Sequence, residues 1–256
     1  MVVGLVVLLL SIAAGLLVIG RFKSLFPFVD ADLLKRLLFY HFFLAFVYYL
    51  YALFNPSDSK YYYASVVNNF GRIDWTGFYG TSTIFIKFVA YPFINYLGFT
   101  YEAMMVLFAF LVFLGFVFMY IFFKENIIFK HTFFGFDLLT LFIFLPNLHF
   151  WSSSLGKGSM IFFGIGMFFF AISRFKERII YVFLGGLIIY HVRPHIMLVI
   201  LVGSAMGFIF STRGIGLASK IVLLAGAGIA FFFIYKDVLS MVGIQEEEFV
   251  SQGLDL

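Results

Sequence analysis

The chain reads as an all-α, polytopic integral membrane helical bundle of about eight transmembrane helices with one interfacial or re-entrant helix. Three observations predict this class. Of its 256 residues, 63% are hydrophobic and 12% are charged, against about 25% charged in a soluble domain. The mean hydropathy is +1.06. The basic residues fall in short clusters between long apolar runs, which is how membrane orientation is encoded. The 41 Phe and 15 Tyr suit lipid-facing and interfacial surfaces, and the absence of Cys excludes disulfides, thiolate metal sites and cysteine nucleophiles. The dispersed basic residues carry no nucleic-acid signature, so the expected partner is the lipid bilayer and not nucleic acid.

Residues 1–20 are apolar throughout, enough to cross a hydrocarbon core of about 30 Å at about 1.5 Å per residue. No basic region precedes them, and Arg21, Lys23, Lys35 and Arg36 follow. They read as a first span with the N-terminus outside, not as a signal peptide. Residues 37–54 return the chain outward. Residues 55–100 read as an outer loop with an interfacial helix. Its polar part holds Asp58, Lys60, Tyr61, Tyr62, Tyr63, Arg72, Asp74 and Trp75, and its apolar part, Thr83 to Phe99, carries Lys87 and Pro92.

Charge parity decides the path of that apolar part. If it does not cross, the inside loops collect Arg21, Lys23, Lys35, Arg36, Lys124, Lys130, Arg174, Lys176, Arg178, Arg213 and Lys220, most of the 17 basic residues. If it crosses, the bias is lost. Residues 101–123, 132–150, 159–173, 179–192, 196–210 and 221–235 are the remaining predicted spans, and 237–256 is an acidic outer tail. Residues 179–192 and 196–210 are short for the bilayer core, so the turn Tyr190-His-Val-Arg-Pro-His195 is expected below the outer membrane surface. A competing reading fuses both into one helix kinked at Pro194. Ala225-Gly-Ala-Gly228 offers small residues for close helix packing. Residues 1–256 read as a single membrane domain.

The densest polar interruption is Leu145 to Met160, where Pro146, Gly156 and Gly158 break the helix around His149, Trp151, three serines and Lys157. Polar backbone and charge in lipid survive only where protein or water surrounds them, so the break is a site hypothesis. The bland alternative is an interfacial loop with a Trp anchor and a snorkelling Lys. On the predicted topology this break, the Asp58 segment and the Arg193 turn all face outward. Asp58 could deprotonate an attacking sugar hydroxyl. Arg193 and Lys157 could hold a phosphate, the first as a fork and the second as a point charge. His195 or His149 could donate a hydrogen bond or a proton, and Tyr61 to Tyr63, Trp75 and Trp151 could stack on sugar rings. The structural alternatives are a solvated turn at Asp58 and an aromatic belt at Tyr61 to Tyr63.

Asn-Pro-Ser-Asp58-Ser-Lys60-Tyr-Tyr-Tyr63, then Leu-Pro146-Asn-Leu-His149-Phe-Trp151-Ser-Ser-Ser-Leu-Gly-Lys157, then His191-Val-Arg193-Pro194-His195 come in the order found in bacterial Wzy-like and EpsG-like polysaccharide polymerases. The chain resembles that family, and more broadly the membrane glycosyltransferases of GT-C architecture, from Asn55 to about Tyr235. The resemblance implies sugar transfer at the outer face of a bacterial inner membrane, in surface or exopolysaccharide biosynthesis. It implies a polyprenyl-pyrophosphate-linked oligosaccharide as substrate, no further cofactor, and other polysaccharide-assembly membrane proteins as partners. It assigns Asp58, Arg193 and His195 as catalytic, and Lys60, Tyr63, His149, Trp151 and Lys157 as substrate-binding. Gly158 stands where relatives of this appearance often carry an acidic residue after the motif lysine, which removes an acid or base role there. Such relatives are usually longer, and the tail to Leu256 reads as the start of a second outer loop. A transporter or flippase, or a non-catalytic subunit of an assembly complex, are the alternatives. The former predicts charges in mid-span and repeat symmetry, neither of which is seen.

Overall fold

The computed structural model describes residues 2–127 and 132–210, with residues 220–221, 224–229, 231–232 and 234–235 of the last apolar run. The chain divides into two compact units, Met1–Val192 and Arg193–Leu256. The first opens with α1 (Val2–Leu25) and α2 (Ala31–Phe54). A shorter α3 (Asp58–Asn68), a 3-10 turn at Trp75–Phe78, α4 (Thr83–Tyr91) and a π-helical turn at Pro92–Tyr96 follow. Next come α5 (Tyr101–Asn126) and the two-residue strands β1 (Thr132–Phe133) and β2 (Phe136–Asp137), an antiparallel pair. The unit ends with α6 (Leu138–Ile143), α7 (Pro146–Ser152), α8 (Lys157–Ile172) and α9 (Ile179–Val192). In the second unit, α10 spans Pro194–Phe210.

Helix ends follow local chemistry. Asp30 accepts from the backbone N–H groups of Asp32 and Leu33, and Thr100 and Asp137 cap α5 and α6 in the same way, each satisfying orphan donors of a first turn. α5 is the central helix of the first unit. α1 runs parallel to it, with Gly4 beside Glu102 and Gly15 beside Phe113, and α2 runs antiparallel, with His41 at Ala109 and Tyr49 at Glu102. α8 is also parallel to α5, and α9 returns against α8. One end of this bundle therefore gathers the start of α5, the end of α2, the start of α8 and the end of α9. The other collects Lys23, Lys35, Lys124, Arg174 and Arg178. A core of Leu34, Leu37, Phe113, Phe116 and Phe163 fills the middle, while Tyr62, Val66, Ile86, Ala90 and Phe108 seat α3 and α4 against the head of α5. The outward sides of α1 and α2 stay apolar, as at Leu17 and Phe54.

The all-α reading holds, and the membrane character stands on three helices, α1, α2 and α5, that are long and apolar enough to cross a bilayer. The count of about eight spans does not. Residues 132–150 form a strand pair and the two short helices α6 and α7 in place of one rod, because Pro146 has no N–H to continue α6 and holds Leu145 extended (φ −61°, ψ 116°), starting α7 instead. Residues 1–20 and 37–54 are parts of longer helices, the first with Lys23 in its last turn and the second with Asp32 in its first. The start of the 55–100 segment is not a loop: Ser57 caps the 11-residue α3. Residues 221–235 are described only in part, and the tail 237–256 lies outside the described residues.

Among the described residues, close helix packing is seen where α5, α8 and α9 cross. A Cβ on Gly166 would stand 2.5 Å from the carbonyl oxygen of Gly115, and one on Gly185 would stand 2.9 Å from that of Gly164. Bare backbone at both crossings lets α5, α8 and α9 approach, the route by which small residues hold helices together in lipid. At Gly226 and Gly228 an added Cβ meets nothing within 4 Å among the described residues. Arg178 is likewise more than an orientation signal. It is buried, forks onto Glu125 at 2.7 and 2.8 Å, and lies on the ring of Phe170 at 4.0 Å.

Candidate functional site

The turn ahead of α8 is tied by its serines. Ser159 Oγ donates to the carbonyls of Ser152 and Ser154, Ser153 Oγ donates to Phe150, and Ser152 Oγ donates to Leu148. The polar stretch thus satisfies its own freed backbone, as a break inside an apolar bundle requires. This leaves Lys157 as the first residue of α8, with no acidic residue in that first turn. Its Nζ lies 3.4 Å from Thr83 Oγ1, and no described carboxylate lies within ion-pair distance. Lys157 and the positive end of the α8 dipole reinforce each other there.

Thr83 opens α4, and the residue before it is strained. Ser82 has φ 58° and ψ −125°, a region that disfavours any residue with a Cβ. Its N–H donates to the carbonyl of His191 at 2.6 Å, so the end of α9 fixes the entry into α4. His191 donates Nδ1–H to the Leu187 carbonyl at 2.8 Å, since a carbonyl can only accept, and Nε2 then accepts from the Tyr79 hydroxyl at 3.1 Å. A ladder of flat rings runs from this imidazole. His191 stacks on Phe85 at 4.9 Å, Phe85 on Phe88 at 6.2 Å, and Phe88 on Trp75 at 5.1 Å. The indole N–H of Trp75 donates to the Phe88 carbonyl at 2.9 Å, which holds the end of the ladder in place.

The residues singled out from the sequence divide between this cluster and structural posts. Asp58 is exposed in the first turn of α3, without a hydrogen bond or ion pair among the described residues. It lies one turn before Tyr62, on the same helix face, and the ring of Tyr62 packs beside Gly156, next to Lys157. Lys60 is turned away, donating to the carbonyls of Leu53 and Asn55 at 3.0 and 3.3 Å, where a cation meets the negative end of α2. Tyr63 donates to the Phe99 carbonyl at 3.2 Å; burial and, second, the Glu102 carboxylate push its hydroxyl pKa up, so it stays a donor. Trp151 is exposed, edge-on to Phe150 at 5.0 Å, beside Tyr48 and Tyr51.

His149 is fully buried, and both of its nitrogens are engaged inside the bundle, by His41 and by the Ile143 carbonyl. That environment is a structural post and offers no face to a substrate. Arg193 and His195 belong to the second unit, where the Arg193 carbonyl accepts from the N–H of Ile196 at 3.0 Å and opens α10.

Sequence reasoning missed Tyr79, Ser82, Thr83, Phe85 and Phe88. The signal was present in the i, i+3 spacing of Phe85 and Phe88 and in the run Thr81-Ser82-Thr83 ahead of an apolar helix. Chemically, the cluster pairs an anion-attracting ammonium with a flat aromatic surface and a hydrogen-bonded imidazole. Among the described residues no group of three or more His, Asp and Glu could hold a metal ion. Family models, curated proteins and solved structures were compared with the chain, and none of them matches it.

Proposed function

We propose that the chain is a membrane glycosyltransferase of the polysaccharide-polymerase type, acting on polyprenyl-pyrophosphate-linked sugars at the outer face of a bacterial inner membrane. The observation that supports this reading is the meeting of Lys157, at the head of α8, with Thr83 and, through Ser82 and His191, with the ring ladder ending at Trp75. A sugar phosphate needs a cation for its charged end and a flat apolar face for its ring. Lys157 and the amides of the first turn of α8 receive the phosphate and stabilise the charge that grows as it leaves. Phe85, Phe88 and Trp75 carry the sugar face. Asp58 takes the proton of the attacking hydroxyl. Arg193 and His195 enter on the sequence alone, as a phosphate fork and a proton donor.

The test is transfer from a polyprenyl-pyrophosphate sugar in proteoliposomes, read as polymer amount and length. Lys157→Ala and Arg193→Ala abolish polymer at normal protein level, and Arg193→Lys also fails, because a point charge does not replace the planar fork. Asp58→Asn slows transfer without loss of protein. Normal polymer in all four variants overturns the proposal and leaves transport or a non-catalytic role.

A further inference from the structure

We propose that His41 and His149 form a binding site for one proton, whose loading decides how the break between α6 and α7 is held. The two Nδ1 atoms face each other at 2.9 Å; His41 Nε2 faces the Ala109 carbonyl at 2.9 Å, and His149 Nε2 faces the Ile143 carbonyl at 2.7 Å. Carbonyl oxygens only accept, so both Nε2 atoms must carry hydrogens. If both rings are neutral, both Nδ1 atoms are then bare lone pairs pressed together. A third proton, lying between the two Nδ1 atoms, satisfies all three contacts at once. Without it one ring must move its hydrogen to Nδ1, and either Ala109 or Ile143 loses its imidazole donor and faces a bare Nε2 lone pair. Both imidazoles are fully buried, so that lost bond has no ready water to replace it.

The site's neighbours define it further. Phe116 of α5 lies flat on His149 at 4.1 Å, and Tyr40 of α2 stands edge-on to it at 4.9 Å with its hydroxyl committed to the Phe144 carbonyl at 3.1 Å. Tyr40 is the titratable neighbour. α5 and α6 contribute only the two carbonyls and the Phe116 ring, and no charged side chain among the described residues bonds to either imidazole. The loaded pair ties three places together: α2, the middle of α5, and the last carbonyl of α6. Tyr40 holds the next carbonyl of the same break. Unloading frees one of these ties. Because α7 runs on to the Ser152 carbonyl, which receives the hydroxyl of Ser159 in the first turn of α8, the protonation state reaches the segment that presents Lys157. This inference is independent of the sugar-transfer reading.

The test is nitrogen-15 NMR of histidine-labelled full chain in lipid nanodiscs, from about pH 2.5 to about pH 8, a range carried low because burial disfavours the charged imidazole. The expected result is that His41 and His149 titrate as one unit, one proton for two rings, with both Nε2 atoms protonated in the loaded form and a hydrogen shared between the Nδ1 atoms. In His41→Gln, His149 loses that shared signal and titrates by itself. If the variant does not fold, the joint step in the wild-type chain still decides. Two rings that stay singly protonated, in opposite tautomers, across the whole range overturn the proposal. So do two independent steps.

Discussion

Arg178 and Glu125, 53 positions apart, meet as a two-pronged pair: the guanidinium Nη1 and Nη2 reach the two carboxylate oxygens at 2.8 and 2.7 Å, with only 7% and 6% of their side chains exposed. Ser173 Oγ bonds the same carboxylate, and the Phe170 carbonyl takes a further guanidinium N–H. Arg174 Nε also reaches Glu125 Oε1, at 3.2 Å, so loss of Arg178 leaves the buried carboxylate with one half-exposed cation and the Ser173 hydroxyl. Arg178→Ala is expected to cost about 3 kcal/mol, the low end of the range for breaking a buried pair, because Arg174 remains on the carboxylate. Arg178→Lys should recover only part of it, since an ammonium cannot present the fork. Thermal unfolding in detergent measures both, with Glu125→Gln as the milder control.

The crossing of α5 and α8 at Gly115 and Gly166 leaves no room for a methyl group. Gly166→Ala puts a Cβ 2.5 Å from the Gly115 carbonyl oxygen and 3.0 Å from its Cα, and backbone cannot turn aside as a side chain can. The helices must separate, with an expected loss of about 1–3 kcal/mol. Gly20 in α1 has nothing within 4 Å of an added Cβ, so Gly20→Ala should raise stability by about 0.5–1 kcal/mol through the lost freedom of the unfolded chain. Denaturation of the two variants side by side separates packing from helix propensity.

Lys60 and Lys157 are both cations at the same end of the bundle, yet they should behave oppositely. Lys60→Ala removes two bonds to the last carbonyls of α2, worth about 1 kcal/mol of stability, and leaves the transfer rate unchanged. Lys157→Ala removes one long bond to Thr83 and leaves the melting temperature near wild type while transfer stops. Parallel melting and transfer measurements check the contrast.

Ser82→Gly should stabilise the fold by about 1 kcal/mol. The positive φ of Ser82 carries about 1–3 kcal/mol of strain, against about 0.5–1 kcal/mol of glycine entropy. Thermal unfolding of Ser82→Gly beside the wild-type chain reads the gain.

Asp58, Lys157 and the Arg193 turn stood out in the sequence because polar groups inside apolar runs are conspicuous on their own. Tyr79, Phe85 and Phe88 did not, because one more aromatic residue among so many marks nothing until it stacks. His149 stood out for the right reason, a polar group at a helix break, but its partner is His41, 108 positions away.

By itself the sequence determined the class of molecule and much of its punctuation. An apolar composition commits the backbone to helices, since lipid offers no other partner for N–H and C=O groups. The residues Asp30, Ser57, Thr100 and Pro146 set helix starts through bonds or constraints that reach only a few positions. Only the tertiary structure decided which faces meet. Between their charged ends α1, α2 and α5 are apolar on most sides and carry no polar stripe to mark a buried surface, so Gly115 against Gly166, His41 against His149 and Arg178 on Glu125 follow from shape and from the pairing of distant polar atoms.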